Sequence, residues 1–337
     1  MSLWLNRRGF AVGAASLLTA GCATREILVN LADAPPPEPA GADGDNGARL
    51  SAGPDTTGRM TAPVRINGQG PFRFVVDTGA NRTVVSSELA AALGLPSGGP
   101  ANVHGIAGVE PTSTALIETL EVDAVTARKL RSPTLARSRL GADGLLGVDA
   151  LRDRTVLLDY GRGELRIAPS RIIERTALDM RQASTGRSRE LGSGVTVPAR
   201  YRFGQLIIVG ADVSGRKVTA FLDSGAQSTV GNMPLSRLVR GANPDPKLVR
   251  YVTPLLSATG QTAQGEVAGL PLLRIGGVSI TGLQAVFTDL HVFDIWGLAS
   301  TPSLLIGIDV MSQFEAIELN FGRRLVTFYP QRMRPGD

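Results

Sequence analysis

The sequence has few of the side chains that form disulfides or bind metals, with one cysteine and two histidines among 337 residues. A lone cysteine, Cys22, cannot form a disulfide within the chain. His104 and His291 lie far apart, and neither has other candidate ligands at the spacing of a metal site. No Gly-x-x-x-x-Gly-Lys phosphate loop occurs. We therefore expect no metal site and no cofactor.

Aromatic residues and long runs of one charge are scarce as well. Aromatics make up 5% of the chain, and the formal net charge is only +5 although the pI is about 9.8. The arginines are scattered among acidic residues, whereas a nucleic-acid site needs clustered basic side chains. The sequence therefore predicts no nucleic-acid partner.

The N-terminal apolar run is too short to cross a bilayer. It covers the ten residues from Ala11 to Ala20, about half of the roughly 20 that a transmembrane helix needs. A basic pair, Arg7 and Arg8, precedes it and Gly21 follows it. Residues 1–21 are therefore predicted to be a signal peptide.

The segment Leu18-Thr19-Ala20-Gly21-Cys22 resembles the lipobox of bacterial lipoproteins, which implies a lipid anchor on Cys22. The alternative is a cysteine that is discarded with an ordinary signal peptide. Arg7-Arg8 followed by Phe10 resembles a twin-arginine signal, but general secretory signals also begin with positive charge. Both routes lead to the periplasm or cell envelope, where we expect the protein to be anchored in a membrane.

Residues 22–59 are predicted to be a flexible tether. From Ala34 to Arg59 the chain consists largely of Pro, Gly, Ala and Asp, without apolar periodicity. Such a composition cannot bury enough apolar surface to fold by itself.

The rest of the chain predicts an all-β protein of two domains. Overall, 43% of the residues are hydrophobic, with 40 Gly and 21 Pro, as in proteins of short strands and many turns. Two segments, 60–169 and 195–330, carry the same landmarks in the same order. Residues 170–194 would link them, and residues 331–337 would be a tail.

The first landmark is a hairpin that leads into an aspartate. Alternating apolar residues surround the turn dipeptide Asn67-Gly68 and continue to Asp77. The second copy has Ser214-Gly215 and then Asp223. Each aspartate is therefore predicted to end a buried strand and to begin a loop.

Two further landmarks follow each aspartate. One is a polar hairpin with glycine, a candidate flap, which contains Gly105 and Ile106 in the first copy and Gly260 in the second. The other is an apolar-apolar-glycine strand followed by a short helix, with its glycine at Gly147 and Gly307. His104 lies beside the first flap glycine, where it is either part of the flap or a solvated turn histidine.

The order of these motifs over residues 60–330 resembles that of the retropepsin-like aspartic peptidases of bacteria and retroelements, with two units fused in one chain. The resemblance implies two closed β-barrel domains, related by a pseudo-two-fold axis, and few short helices. It also implies activity as a monomer, because the second half supplies what a retroviral enzyme obtains by dimerising. Two departures are Asn81 and Gln227, where retroviral enzymes carry Asp, and neither flap has the Tyr of pepsin-like enzymes.

The resemblance also implies roles for the motif residues. Asp77 and Asp223 would be the catalytic pair that face each other across the axis. The residues after them would support the two loops: Thr78 and Ser224 by hydrogen bonds across the axis, and Gly79 and Gly225 by allowing close approach. Gly147 and Gly307 would lie on the strands behind the loops.

Two adjacent carboxyls suit peptide hydrolysis, because like charges in close contact cannot both ionise and one proton is shared. One carboxylate can then activate water while the other group polarises the scissile carbonyl. We therefore expect an aspartic endopeptidase that cleaves peptide or protein substrates of the envelope. The alternative is a non-catalytic peptide-binding or assembly module with the same fold.

Overall fold

The computed structural model describes residues 49–50, 55, 58–122, 125–170, 194–202, 204–208, 210–242 and 251–330. The predicted signal peptide with Cys22, the predicted tail, and most of the predicted tether and linker lie outside these residues. Within the tether range, Arg49–Leu50 pairs with the strand Glu164–Pro169, and Arg59 forms an ion pair with Asp55. None of the described helices is long and apolar enough to span a membrane.

The first repeat consists mostly of strands. Its elements are β1 (Arg49–Leu50), β2 (Thr61–Ile66), β3 (Gln69–Val76), β4 (Val84–Ser86), α1 (Ser87–Ala92), β5 (Ser97–Gly105), β6 (Gly108–Val122), β7 (Val125–Leu135), α2 (Arg137–Leu140), β8 (Gly144–Leu146), α3 (Val148–Leu151), β9 (Arg154–Asp159) and β10 (Glu164–Pro169).

The second repeat follows the same plan with more interruptions. Its elements are β11 (Val195–Arg202), β12 (Gln205–Ile208), β13 (Ala211–Val213), β14 (Arg216–Lys217), β15 (Thr219–Leu222), β16 (Val230–Gly231), α4 (Met233–Ala242), β17 (Tyr251–Leu256), β18 (Thr262–Leu270), β19 (Leu273–Ile275), β20 (Val278–Ile280), β21 (Leu283–Phe287), α5 (His291–Ile295), β22 (Ser303–Ile306), α6 (Ile308–Met311), β23 (Phe314–Asn320) and β24 (Leu325–Pro330).

Each repeat folds its strands around an apolar core, and the first repeat closes them into a barrel. In the first repeat the strand order β2-β3-β8-β4-β7-β6 is closed by pairing of β2 with β6. In the second, β12-β15-β22-β16-β21-β18 form the corresponding run of strands, while β13 and β19 pair in a separate four-stranded sheet. The prediction of an all-β protein with two retropepsin-like barrels and few short helices is confirmed.

Local sequence explains the turns that shape both repeats. Asn67-Gly68 and Ser214-Gly215 both have positive φ at both positions, as a tight hairpin between twisted strands requires. Ser86 caps α1 by accepting a hydrogen bond from Leu89 N at 3.1 Å. The two turns therefore have the same backbone geometry, and in both repeats the chain after the turn leads to an aspartate.

The two repeats also share one sheet. Strand β9 pairs antiparallel with β23, and the hairpins β9–β10 and β23–β24 lie side by side. Leu158 and Ile317 face each other in this pairing, and both are fully buried. The interface between the repeats is thus a continuous sheet with an apolar face, which fixes their relative position.

Candidate active site

The two aspartates lie at equivalent loop positions directly after β3 and β15. Each preceding strand runs parallel to the apolar-apolar-glycine strand, β8 or β22. The Asp77 amide donates to Leu146 O at 3.0 Å, and the Asp223 amide donates to Ile306 O at 2.9 Å. The same backbone bond therefore fixes the start of both loops.

Each aspartate carboxyl is held by the backbone of its own loop. Asp77 Oδ1 accepts hydrogen bonds from the amides of Gly79 and Ala80, both at 2.9 Å. Asp223 Oδ1 accepts from Gly225 N at 2.9 Å and from Ala226 N at 3.2 Å. These bonds orient both carboxyls in the same way relative to their strands.

Thr78 and Ser224 join the two loops across the interface. The Thr78 hydroxyl donates to Leu222 O at 3.0 Å and accepts from Ser224 N at 3.0 Å. The Ser224 hydroxyl donates to Val76 O at 2.7 Å and accepts from Thr78 N at 3.1 Å. Both side chains are buried, so the structure has the cross-axis hydrogen bonds that the resemblance implied.

Gly79 and Gly225 allow each loop to approach the opposite carboxyl. A Cβ on Gly79 would lie 2.3 Å from Asp223 Cγ, and a Cβ on Gly225 would lie 2.5 Å from Asp77 Cγ. No side chain fits at such distances, because the clash is with the carboxyl groups themselves. The structure thus brings Asp77 and Asp223 together at the centre of the interface.

The electrostatics of the pair follow from burial and proximity. Burial raises the pKa of both Asp77 and Asp223, because a charged carboxylate loses its hydration there. The negative charge of Asp77 raises the pKa of Asp223 further, although the amides of each loop partly offset the rise. The two groups titrate as a pair, and we assign the shared proton to neither residue.

Gly147 and Gly307 pack against the backbone that follows the aspartate loops. A Cβ on Gly147 would lie 2.3 Å from the backbone carbon of Arg82, and one on Gly307 would lie 2.7 Å from that of Ser228. The backbone of the segment that follows each aspartate loop therefore packs directly on these glycines.

Two equivalent threonine–aspartate pairs, one in each repeat, stabilise this packing. The sequence alone had suggested no role for these residues. Asp149 accepts hydrogen bonds from the amide and hydroxyl of Thr83, both at 2.8 Å. Asp309 accepts from the amide and hydroxyl of Thr229 at 2.8 and 2.7 Å. Their recurrence at matching places in the two copies was a usable signal.

The first flap is the β5–β6 hairpin, and its tip reaches the second domain. Ile106 packs against the apolar cluster that contains Phe293, and its carbonyl accepts a hydrogen bond from His291 N at 2.9 Å. A Cβ on Gly105 would lie 2.4 Å from the Ser257 hydroxyl in the second hairpin. Gly105 and Ile106 are therefore both at contacts between the domains.

The second flap is the β17–β18 hairpin, with Gly260 at its tip in the left-handed conformation at φ +82°. Arg139 of the first domain donates to Thr259 O at 2.8 Å and pairs with Glu110 at 3.2 Å. Gln261 Nε2 also donates to Val109 O at 3.0 Å. Each flap is thus held by residues of the opposite domain, which sequence reasoning did not foresee.

His104 and His291 meet between the first flap and α5. His104 Nδ1 lies 3.1 Å from His291 Nε2, and the two rings are nearly parallel, with an angle of 8° between them. Since stacked rings would lie about 3.5 Å apart, this shorter contact is a hydrogen bond between ring nitrogens. His104 is therefore a flap contact and not a solvated turn residue. Within the described ranges, no three His, Cys, Asp or Glu side chains form a metal-binding group.

Comparison with known protein families agrees with this geometry. The family model described as gag-polyprotein putative aspartyl protease matches residues 62–153. The model described as aspartyl protease matches residues 209–310. No curated protein matches the chain. Because each matched range contains one aspartate loop with its flap hairpin and its apolar-apolar-glycine strand, the chain is a tandem of two retropepsin-like aspartyl protease domains.

Proposed function

We propose that the protein is an aspartic endopeptidase in which Asp77 and Asp223 together activate water. The observation that carries this proposal is the reciprocal bonding of Thr78 and Ser224, which holds the two aspartate loops together. Aspartic protease activity in general is supported by the two family matches.

The proposed reaction uses one proton held between the two carboxyls. The ionised carboxylate takes a proton from water, and the oxygen of that water forms a bond to the scissile carbonyl carbon. The protonated carboxyl donates its proton to the carbonyl oxygen, which gives a neutral tetrahedral diol. The carboxyl that received the water proton then protonates the leaving nitrogen, the C–N bond breaks, and the product acid returns a proton to the pair.

The flaps would cover an extended peptide above the dyad. Their strands β5 and β17 form the ends of their sheets, so they offer backbone groups to a peptide that lies alongside. Because the Ile106 hairpin contacts the second domain, we expect the flap to move away before a peptide enters.

We further propose that the enzyme is a monomer in the periplasm or cell envelope, anchored through Cys22, and that it cleaves proteins there. The support is the signal-like N-terminus and the lipobox resemblance. Replacement Cys22→Ser should move the protein from the membrane fraction to the soluble fraction. Retention of the variant in membranes would refute the anchor.

The dyad is tested by cleavage of a peptide library by the purified chain, with and without pepstatin, between pH 3 and 8, a range chosen around carboxyl pKa values raised by burial. Asp77→Asn and Asp223→Asn should each abolish cleavage. Persisting cleavage in both variants would refute the dyad. Peptide binding without cleavage by the wild-type chain would instead favour the non-catalytic binding module.

A further inference from the structure

Gln205 of the second domain reaches into the Asp77 loop of the first. It is the first residue of β12 and is 2% exposed. Its Nε2 donates to Gly79 O at 2.8 Å and to Asn81 Oδ1 at 2.6 Å. A single side-chain amide thus links two residues of the loop that carries Asp77 to the opposite domain.

The orientation of the Gln205 amide is fixed by its partners. Gly79 O can only accept a hydrogen bond, so it must face the amino end of Gln205. The other end, Oε1, is buried and has no hydrogen-bond partner among the described residues. A buried acceptor without a partner is destabilising. The two hydrogen bonds that Nε2 donates therefore hold the side chain in this position.

Gly79 is the point through which this contact acts on the aspartate. Its amide donates to Asp77 Oδ1 at 2.9 Å, while its carbonyl accepts from Gln205. The Gly79 carbonyl shares a planar peptide unit with the Ala80 amide, which also donates to Asp77 Oδ1 at 2.9 Å, so a shift of this unit would move a donor that orients the Asp77 carboxyl. The close approach of Gly79 to Asp223 leaves little room for such a shift without disturbing both carboxyls.

The equivalent residue of the first domain behaves differently. Gln205 precedes Asp223 by 18 residues (223 − 205), and Arg59 precedes Asp77 by 18 residues (77 − 59). Arg59 pairs with Asp55, four residues before it, and donates to Leu140 O of the first domain at 2.9 Å. Burial raises the pKa of Asp77, and the positive charge of Arg59 offsets only a small part of that rise. Gln205, by contrast, is neutral and bonds the Asp77 loop of the opposite domain directly.

We propose that Gln205 is a positioning residue for the reaction, which sets the place of the Asp77 carboxyl by donating to Gly79 O and Asn81 Oδ1 across the domain interface. This inference rests on the proposed function of the dyad. It predicts that activity depends on the donor character of position 205 and not merely on its size.

The test is Gln205→Glu, with Gln284→Glu as the matched control at an exposed position of β21. Above its pKa, a Glu carboxylate has no proton to give to Gly79 O, whereas the protonated acid has one. We expect kcat of Gln205→Glu, relative to wild type, to be about tenfold or more lower at pH 7, in line with the loss of a buried hydrogen bond. The ratio of the kcat of Gln205→Glu to that of wild type should rise toward one as the pH falls and the introduced carboxyl becomes protonated. The kcat of Gln284→Glu should follow that of wild type at every pH.

Gln205→Met provides a second test if Gln205→Glu does not fold at pH 7, because it is neutral at every pH and removes the donor. It should lower kcat by a factor independent of pH while KM stays within about threefold of wild type, as expected for a loss confined to the transition state. Unchanged kcat in this variant, or a pH-independent ratio for Gln205→Glu, would overturn the role of Gln205 while the dyad stands. Absence of cleavage by wild type would instead overturn the proposed function itself.

Discussion

Replacement of Thr78 by valine tests whether the hydrogen bonds between the loops hold the two domains together. Valine keeps the shape of threonine but removes the hydroxyl, so Leu222 O and Ser224 N lose their partner at 3.0 Å each. Thr78 is 3% exposed and Ser224 is fully buried, so water does not readily replace the lost bonds. At about 1–3 kcal/mol for each unpaired buried group, the free energy of unfolding should fall by about 2–6 kcal/mol.

Equilibrium urea denaturation at pH 7 measures this loss, and Thr78→Ser is its control. Serine keeps the hydroxyl and loses one methyl group, which costs about 1 kcal/mol. If Thr78→Val proved no less stable than Thr78→Ser, the hydroxyl would not be stabilising the interface. A double-mutant cycle with Ser224→Ala should give non-additive losses, because the two side chains belong to one network.

Three other perturbations have defined outcomes. Asp223→Asn should raise Tm at pH 7. The pKa of this buried carboxyl is higher in the folded chain than its value of 3.8 in the unfolded chain, so above pH 3.8 its ionisation favours the unfolded chain. The increase in Tm should therefore vanish in thermal melts as the pH falls through 3.8. Gly105→Ala should raise KM in steady-state assays with little change in Tm, because the new Cβ would lie 2.4 Å from the Ser257 hydroxyl and hold the flap away. His104→Ala should increase amide hydrogen exchange at the flap tip, since it removes the contact with His291; unchanged exchange would show that this contact does not hold the flap.

The parts of the site that sequence reasoning predicted are those fixed by short-range signals. A turn dipeptide, an apolar strand and an aspartate with glycine two residues later all lie within about 20 residues of the chain, and their duplication distinguished them from ordinary turns. The loop pairing of Thr78 with Ser224 was expected only through the family resemblance. In the structure it links residues 146 positions apart.

The contacts that sequence reasoning missed depend on how the domains dock. His104 and His291 are separated by 187 positions, Arg139 and Thr259 by 120, and Asn81 and Gln205 by 124. None of these pairs has a local pattern that specifies its partner. They lie together because the two domains dock through the β9–β23 pairing and the bonded aspartate loops.

The fusion of both repeats into one chain removes the equivalence of the two halves of the cleft. In a symmetric dimer the two flaps are identical, so the two directions of a bound peptide are indistinguishable. Here one flap places Ile106 against the opposite barrel, whereas the other presents a polar tip, Ser257 to Gln261, to Arg139. Under the proposed function, a peptide lying across this cleft would meet chemically different surfaces at its amino and carboxyl sides, which gives the cleft a means to distinguish the direction of a chain as well as its side chains.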